Sequence, residues 1–292
     1  MKIQSMTGFG KSSFSTDNKT ISIEIRSLNS KQLDANIKLP HLFKEKELVI
    51  RKLLSKELIR GKVDFFFSFE FLEGVLSNTI NKPVVEMYLK QMDTIMAQTD
   101  LKLNEQILSS VLQMPQVLVS EKEVLSDKEW TIIFPHIQEA VNQLLDFRNQ
   151  EGAVLAKDLE KRIRLIESLL LQVDIPEKQR IERTKDRIKK SLSEVVEQEN
   201  IDHNRFEQEL IYYIEKFDIT EEKIRLATHC QYFLETLEKG GDVGKKLNFI
   251  TQEIGREINT LGSKANDASL QKIVIQMKDE LEKIKEQSFN IV

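Results

Sequence analysis

The chain has 292 residues, of which 31% are charged and 7% aromatic, with a net charge of −4 and only 10 Gly and 5 Pro. This composition excludes a disordered chain and favours a helix-rich soluble protein of two domains, or of one domain with a long helical extension. It also argues against a protein that coats nucleic acid through bulk positive charge, but it leaves room for a local basic groove.

Cysteine content and hydropathy exclude further classes of protein. Cys230 is the single cysteine, so an intrachain disulfide and a cysteine-based zinc site are excluded, and we expect a small buried residue there. The first ten residues have no apolar run after a basic start, and no stretch approaches the ~18 apolar residues of a membrane span. We therefore expect a cytoplasmic protein that does not enter a membrane.

The N-terminal part of the sequence has strand patterns on either side of a helix. Residues 20–29 alternate apolar and polar side chains, which is the pattern of a half-buried strand. A short strand is expected at 33–39, followed by a helix over 42–59 with Gly61 as its C-terminal cap. Residues 63–72 are strongly aromatic and predict a central strand. The pattern indicates an α+β domain with a small sheet.

The middle of the chain has helical periodicity interrupted by proline. We expect turns near Pro83, Pro115 and Pro135. Two apolar stripes then meet at Pro176, which predicts two long helices packed as an antiparallel hairpin.

These patterns divide the chain into three parts: an α+β domain over 1–150, a helical hairpin over 151–200, and a helical domain over 201–292. Residues 177–190 carry seven basic and three acidic side chains. Such a run is either a solvated helix face or a contact for an RNA backbone.

Charged side chains at helical spacing concentrate in the C-terminal domain. Asp218 and Glu221 have the spacing of a capping box. In the helix that follows, Glu222, Arg225 and His229 share one face, where the histidine is well placed to transfer a proton near pH 7.

A third charged helix is expected to begin near Val243. Lys245 and Lys246 fall in its first turn, where free N–H groups and two ammonium groups would attract a phosphate. Further along, Glu253 and Glu257 lie on one face. Lys264 belongs to that face too, Arg256 lies alongside it, and the final helix is expected to close a bundle. Spacing alone therefore predicts a helical domain with a charged, phosphate-handling groove.

Several motifs in fixed order resemble the YicC/YloC family of bacterial proteins. They are SMTGFG (5–10), EIRSLNSKQLD (24–34), RGKVD (60–64), NRFEQEL (204–210), DITEE..RL..H (218–229), VGKKLNFITQEIGREINTLGSKA (243–265) and the terminal EQSFNIV. The resemblance covers nearly all of the chain and departs from the family pattern at Gly255 and Val292. It implies a divalent-metal-dependent endoribonuclease that acts on single-stranded or structured RNA in bacterial RNA turnover. It also implies assembly as a homo-oligomer, specifically a hexamer that opens like a shell around RNA.

Roles follow for the motif residues as hypotheses. Carboxylates expected to hold Mg²⁺ or Mn²⁺ are Glu209, Glu222, Glu253 and Glu257. Side chains expected in catalysis are His229 as general acid or base or as an extra metal ligand, Arg225 and Arg256 on the scissile phosphate, and Glu253 and Glu257. Side chains expected to contact RNA are Arg205, Lys245, Lys246, Asn259 and Lys264, and Arg26, Asn29 and Lys31 are expected to contact RNA or another subunit.

Two other functions fit the same residues. A non-catalytic RNA-binding protein or adaptor would use the basic faces and keep the carboxylates as ion-pair partners. A helical scaffold would assemble through its bundle and would have no role in RNA. No DNA or membrane partner is expected. For the nuclease, attack by a metal-bound hydroxide and attack by the ribose 2′-OH are both open.

Overall fold

A computed structural model describes residues 3–16, 18–72, 78–96, 105–120, 125–195 and 203–292. Its N-terminal part contains a four-stranded sheet in the order β1-β2-β4-β3. The strands are β1 (Gly8–Ser15), β2 (Lys19–Leu28), β3 (Leu33–Lys38) and β4 (Gly61–Phe71). β2 pairs antiparallel with β1 and β4, whereas β3 pairs parallel with β4.

Alternation of side chains explains which face of this sheet is covered. Ile21, Ile23 and Ile25 on β2 are fully buried, and Val63 and Phe65 on β4 are buried in the same core. β4 lies between β2 and β3, as its aromatic sequence predicted. The expected class, α+β with a small sheet followed by a helical region, is confirmed.

Helix α1 (Glu47–Glu57), preceded by a single 3₁₀ segment at His41–Lys46, connects the parallel strands β3 and β4. The prediction that Gly61 caps this helix is wrong, because the helix ends at Leu58 in extended backbone. Gly61 instead begins β4 with φ = 123°, and a Cβ there would lie 2.8 Å from Nη2 of Arg148. A side chain at this position would be strained and would collide with the arginine.

A smaller unit follows the sheet. It contains a two-stranded sheet of β5 (Asn78–Ile80) and β6 (Leu118–Ser120), with helices α2 (Lys82–Met96) and α3 (Glu105–Leu112) between the strands. Pro83 stands in the first turn of α2, where the missing N–H costs nothing, and Pro115 stands in a turn, as expected.

The turn expected at Pro135 is wrong, because Pro135 lies inside the 46-residue helix α4 (Asp127–Gln172). Ile133 and Ile137 on either side of the proline are fully buried against the sheet, and this packing outweighs the lost helical hydrogen bond. The sheet approaches α4 closely, since a Cβ on Gly10 would lie 2.0 Å from the Ala140 carbonyl oxygen.

The two halves of α4 belong to different cores. Ile137 and Leu144 pack in the core under the sheet, whereas Ile163 and Ile166 pack in a second core made by helices. The helix therefore connects the sheet to the helical region without a flexible linker.

The antiparallel hairpin predicted at Pro176 is replaced by a bent helix. α4 ends at Gln172, and α5 (Asp174–Val195) begins after Val173, whose backbone is still helical at φ = −65° and ψ = −32°. A single helical residue cannot reverse the chain. Pro176 lacks the N–H that would bond to the Gln172 carbonyl, which accounts for a bend and not a turn.

The remaining helices are α6 (His203–Lys216), α7 (Thr220–Lys239), α8 (Gly244–Ala265) and α9 (Ala268–Ser288). α9 closes the bundle, as expected, through Val274, Met277 and Leu281. Glycines in α8 allow close packing, because a Cβ on Gly255 would lie 3.1 Å from Leu281. None of the described helices is long and apolar enough to cross a bilayer.

One arginine of the basic run on α5 is structural. Arg180 is buried and donates hydrogen bonds to the carbonyl oxygens of Lys264, Ala265 and Phe217 at 2.8–2.9 Å. These bonds satisfy carbonyls at the C-terminus of α8. Burial lowers the pKa of the Arg180 guanidinium.

Candidate functional site

The start of α7 differs from the capping box predicted for it. Asp218 accepts hydrogen bonds from the backbone N–H and the hydroxyl of Thr220, at 3.0 and 2.7 Å. Glu221 pairs with Arg225 one turn later. Asp218 therefore orders the turn before the helix, while Glu221 lies on its solvated face.

Helices α7 and α8 run antiparallel, and two contacts join them along one side. Near one end, Nζ of Lys264 on α8 lies 2.9 Å from Oε1 of Glu222 on α7. Towards the other end, Nζ of Lys246 on α8 lies 4.6 Å from the centroid of the Tyr232 ring on α7. The side chains between these contacts therefore line one border between the helices, which we call the α7–α8 seam.

Helical spacing places three predicted site residues within the seam. On α7, His229 follows Glu222 by seven residues, or two turns, and is half-buried. On α8, Glu253 and Glu257 precede Lys264 by eleven and seven residues on the same face. The fold therefore brings together carboxylates, an imidazole and ammonium groups from helices that the sequence could only treat separately.

Two of the seam carboxylates are almost fully buried. Glu222 is 7% exposed, and its Oε2 atom has no hydrogen-bond partner in the described structure. Glu257 is 5% exposed, and no ion pair or hydrogen bond to its side chain occurs among the described residues. An incompletely paired buried carboxylate such as that of Glu222 is costly, so its surroundings favour binding of a cation or of a hydrogen-bond donor.

Arg256 lies on the facet of α8 next to the seam, on the side of α9. An open groove between these helices is lined by Gln252, Gly255, Arg256, Asn259, Thr260 and Lys285. The structure thus brings Arg256 and Asn259 together with Lys285, which the sequence reasoning missed. Lys285 forms an ion pair with Glu282 at 2.6 Å, and its assignment to this groove needed the packing of α9 against α8.

The other predicted residues of the C-terminal domain are more peripheral. Arg225 is exposed and is engaged by Glu221. Lys245 is exposed in the first turn of α8, which begins at Gly244, next to the predicted start near Val243. The side chains of Arg205 and Glu209 on α6 lie outside the part of the structure that can be described.

Two of the N-terminal candidates contact the sheet and the C-terminal tail. Arg26 is exposed beside Glu24 and lies over the Phe9 ring, and Lys31 is exposed. Asn29 donates to the Phe289 carbonyl oxygen at 2.8 Å and so holds the C-terminal tail against the sheet. Within one chain, Asn29 therefore has a structural contact, and the RNA or subunit contact expected for it stays a prediction.

The seam supplies only part of a metal site. In the described ranges, no three carboxylate, imidazole or thiol side chains converge closely enough to hold a metal ion. Glu253 and Glu257 offer two carboxylates one turn apart, and the position of the Glu209 carboxylate is not described. A Mg²⁺ ion bound by one or two carboxylates, water and RNA phosphates needs no further protein ligand.

Sequence comparisons agree along the whole chain. Residues 3–157 match the family described as "Endoribonuclease YicC-like, N-terminal region", and residues 173–292 match "Endoribonuclease YicC-like, C-terminal". The chain is 31% identical to a "Probable endoribonuclease YicC" of Clostridioides difficile (strain 630), over 98% of this chain and 99% of that protein. It is 28% identical to a protein of the same name from Haemophilus influenzae, over 99% of both chains. The chain therefore belongs to the YicC-like endoribonuclease family, which confirms the resemblance drawn from its motifs.

Proposed function

We propose that this protein is an endoribonuclease that cleaves RNA phosphodiester bonds in the α7–α8 seam. The observation that carries the proposal is the Glu222–Lys264 ion pair between the antiparallel helices α7 and α8, whose facing borders also carry His229, Glu253 and Glu257. The names of the two relatives support the same activity. Bacterial RNA turnover in the cytoplasm is the proposed setting.

Each part of the seam has a proposed task. His229 is half-buried on the face of α7 that carries Glu222, and its proposed task is to transfer a proton to or from a ribose oxygen of the RNA. Lys246 and Arg256 carry exposed positive charge on either side of Glu253 and bind phosphates next to the cut. The ion pair with Lys264 holds Glu222 in place, so we propose that Glu222 positions the seam and that Glu253 and Glu257 meet the substrate.

The proposal includes a divalent cation, Mg²⁺ or Mn²⁺, and a homo-oligomer, specifically a hexamer. Glu253 and Glu257 are the proposed protein ligands, and when bound the ion would offset negative charge on the phosphate. The remaining ligands would be water and RNA phosphates, and Glu209 stays the further carboxylate predicted for the metal.

The activity is tested with purified protein and an RNA labelled at its 5′ end. We expect internal cleavage that EDTA abolishes and that added Mn²⁺ or Mg²⁺ restores. Glu253→Gln should be impaired, whereas Glu238→Gln, a matched change at an exposed position on α7, should cleave like the parent. Equal cleavage by Glu253→Gln and the parent would contradict the proposed site.

The chemical route is tested with a substrate that carries one 2′-deoxy nucleotide at the cut. If the ribose 2′-OH is the nucleophile, this substrate is not cut there, and the normal RNA gives a cyclic phosphate end. If water is the nucleophile, the modified substrate is cut at the normal rate.

A non-catalytic RNA adaptor is the second candidate. The groove with Arg256, Asn259 and Lys285 favours it, since such a surface binds phosphates without cleaving them. RNA retention at low salt without any cleavage, with or without a metal, would support the adaptor against the nuclease.

A further inference from the structure

Two aromatic side chains flank Lys246 at the end of the seam nearest the N-terminus of α8. Tyr232 is 41% exposed and Phe249 is 61% exposed. The Lys246 ammonium lies over the Tyr232 ring at 4.6 Å from its centroid. Phe249 follows Lys246 by three residues and precedes Glu253 by four, so these three side chains share one face of α8.

We infer that Tyr232 and Phe249 are a stacking platform for unpaired bases of the RNA, with Lys246 on the phosphate between those bases. This inference rests on the proposed function and adds the substrate class to it. A phosphate at Lys246 brings its neighbouring bases to the two rings, because the lysine lies next to both. Aromatic rings beside a cation are the usual means of holding single strands, because every base has a flat face that can stack.

The position of the platform predicts which RNA is cut. Four residues of helix separate Phe249 from Glu253, a rise of about 6 Å, so a base on Phe249 belongs to a nucleotide close to the cut. A base inside a duplex is already paired and stacked and cannot offer its face. We therefore expect cleavage in single strands, loops and bulges, with little preference for base identity.

A substrate with a single abasic nucleotide tests the inference directly. The abasic site is moved one position at a time along a single-stranded RNA, and the cleavage rate is measured for the parent, Phe249→Leu and Tyr232→Leu. In the parent we expect one or two positions at which the missing base slows cleavage by about tenfold. In Phe249→Leu that penalty should disappear at one position, because no ring remains there to stack on.

Phe147→Leu is the matched control, since Phe147 is 41% exposed on α4 and belongs to no part of the seam. It should keep the abasic profile of the parent. An identical profile in Phe249→Leu, Tyr232→Leu and the parent would overturn the platform while leaving the nuclease intact.

Two further readouts separate the remaining outcomes. Fluorescence of a 2-aminopurine base in the RNA, read with EDTA present, should be quenched on binding to the parent and less quenched on Phe249→Leu. This signal reports stacking even if the parent does not cleave RNA, which would contradict only the proposed function. A loss of assembly mass in Phe249→Leu, together with unchanged quenching, would show that Phe249 contacts a second copy of the chain and would overturn the platform.

Discussion

Arg148 and Glu257 are both buried charged side chains, but their surroundings differ. Arg148 is 1% exposed and donates to the Ser27 hydroxyl and to the carbonyl oxygens of Met6 and Arg60 at 3.1–3.3 Å. Burial lowers the pKa of its guanidinium to about 10. Glu257 is equally buried but receives no hydrogen bond from the described residues.

This difference distinguishes a buried charge that stabilises the fold from buried charges that are available to a substrate. The hydrogen bonds of Arg148 join the N-terminal segment, the sheet and α4, so a buried charge there holds the fold. The carboxylates of the α7–α8 seam keep unused bonding capacity, which is the condition expected of groups that meet a substrate or cation. We call the contacts of Arg148 with these three parts the Arg148 junction. Changes at this junction should therefore reduce stability, and changes in the seam should reduce activity.

The largest effect is expected from His229→Ala. Loss of a general acid or base should lower kcat/KM for RNA cleavage by about 10²- to 10⁴-fold with little change in thermal stability, because the side chain is only half-buried. Single-turnover cleavage and thermal unfolding measure the two quantities. Thr228→Ala, one residue away on the exposed face, is the control and should retain the parent's rate. A His229→Ala protein with full activity would contradict the assignment of the seam to catalysis.

Arg148→Met should have the largest effect on stability. The change removes three hydrogen bonds in a buried place, to the Ser27 hydroxyl and to the carbonyl oxygens of Met6 and Arg60, so we expect the free energy of unfolding to fall by about 3 kcal/mol. Urea denaturation measures it. Arg164→Met should cost less than about 0.5 kcal/mol, since Arg164 is exposed and its pair with Glu167 is a surface ion pair. If both variants were equally stable, Arg148 would not be a structural junction.

The sequence predicted individual strands and helices better than the way in which they pack together. Local alternation was sufficient to predict β2, and the aromatic composition of residues 63–72 was sufficient to predict β4. Pro135 and Pro176 were misleading, since a proline reports a missing hydrogen bond and not the packing that compensates for it. The hairpin prediction was wrong for this reason.

The candidate site was predictable only as separate faces. Spacing placed Glu222 and His229 on one helix and Glu253 and Glu257 on another, and the register of these helices depends on the Glu222–Lys264 contact. Lys285 could not be assigned from sequence, because its role depends on how α9 lies against α8.

The Glu222–Lys264 ion pair lies in the seam, but it also joins α7 to α8 and should therefore contribute to stability. Lys264→Met leaves Glu222 buried with no cation, so we expect unfolding to become easier by about 1–3 kcal/mol. The double variant Glu222→Gln with Lys264→Met should recover part of this loss, because the uncompensated charge is gone. A double-mutant cycle of urea denaturation measures the coupling. Additive losses would mean that the two side chains are energetically independent.

The smallest effect concerns the turn before α7. Hydrogen bonds from Thr220 lower the pKa of the Asp218 carboxyl below its ordinary 3.8. A lowered pKa in the folded state contributes stability above the unfolded value, and this contribution is lost as pH falls through the folded value. Thr220→Val should therefore be less stable by up to about 1 kcal/mol at pH 7. The difference from the parent should shrink below about pH 3.8 in thermal unfolding, whereas a difference that is constant with pH would exclude this origin.

Glu257→Gln tests the central claim most directly, because it removes one charge from the seam and keeps the shape of the side chain. The measurement is the single-turnover rate at which this variant and the parent cleave the same labelled RNA, with thermal unfolding as the check on folding. We predict a rate at least about tenfold below that of the parent in a protein that melts at about the same temperature, since no ion pair of Glu257 with the described residues is lost. Cleavage at the parent's rate would contradict the assignment of the seam as the active site.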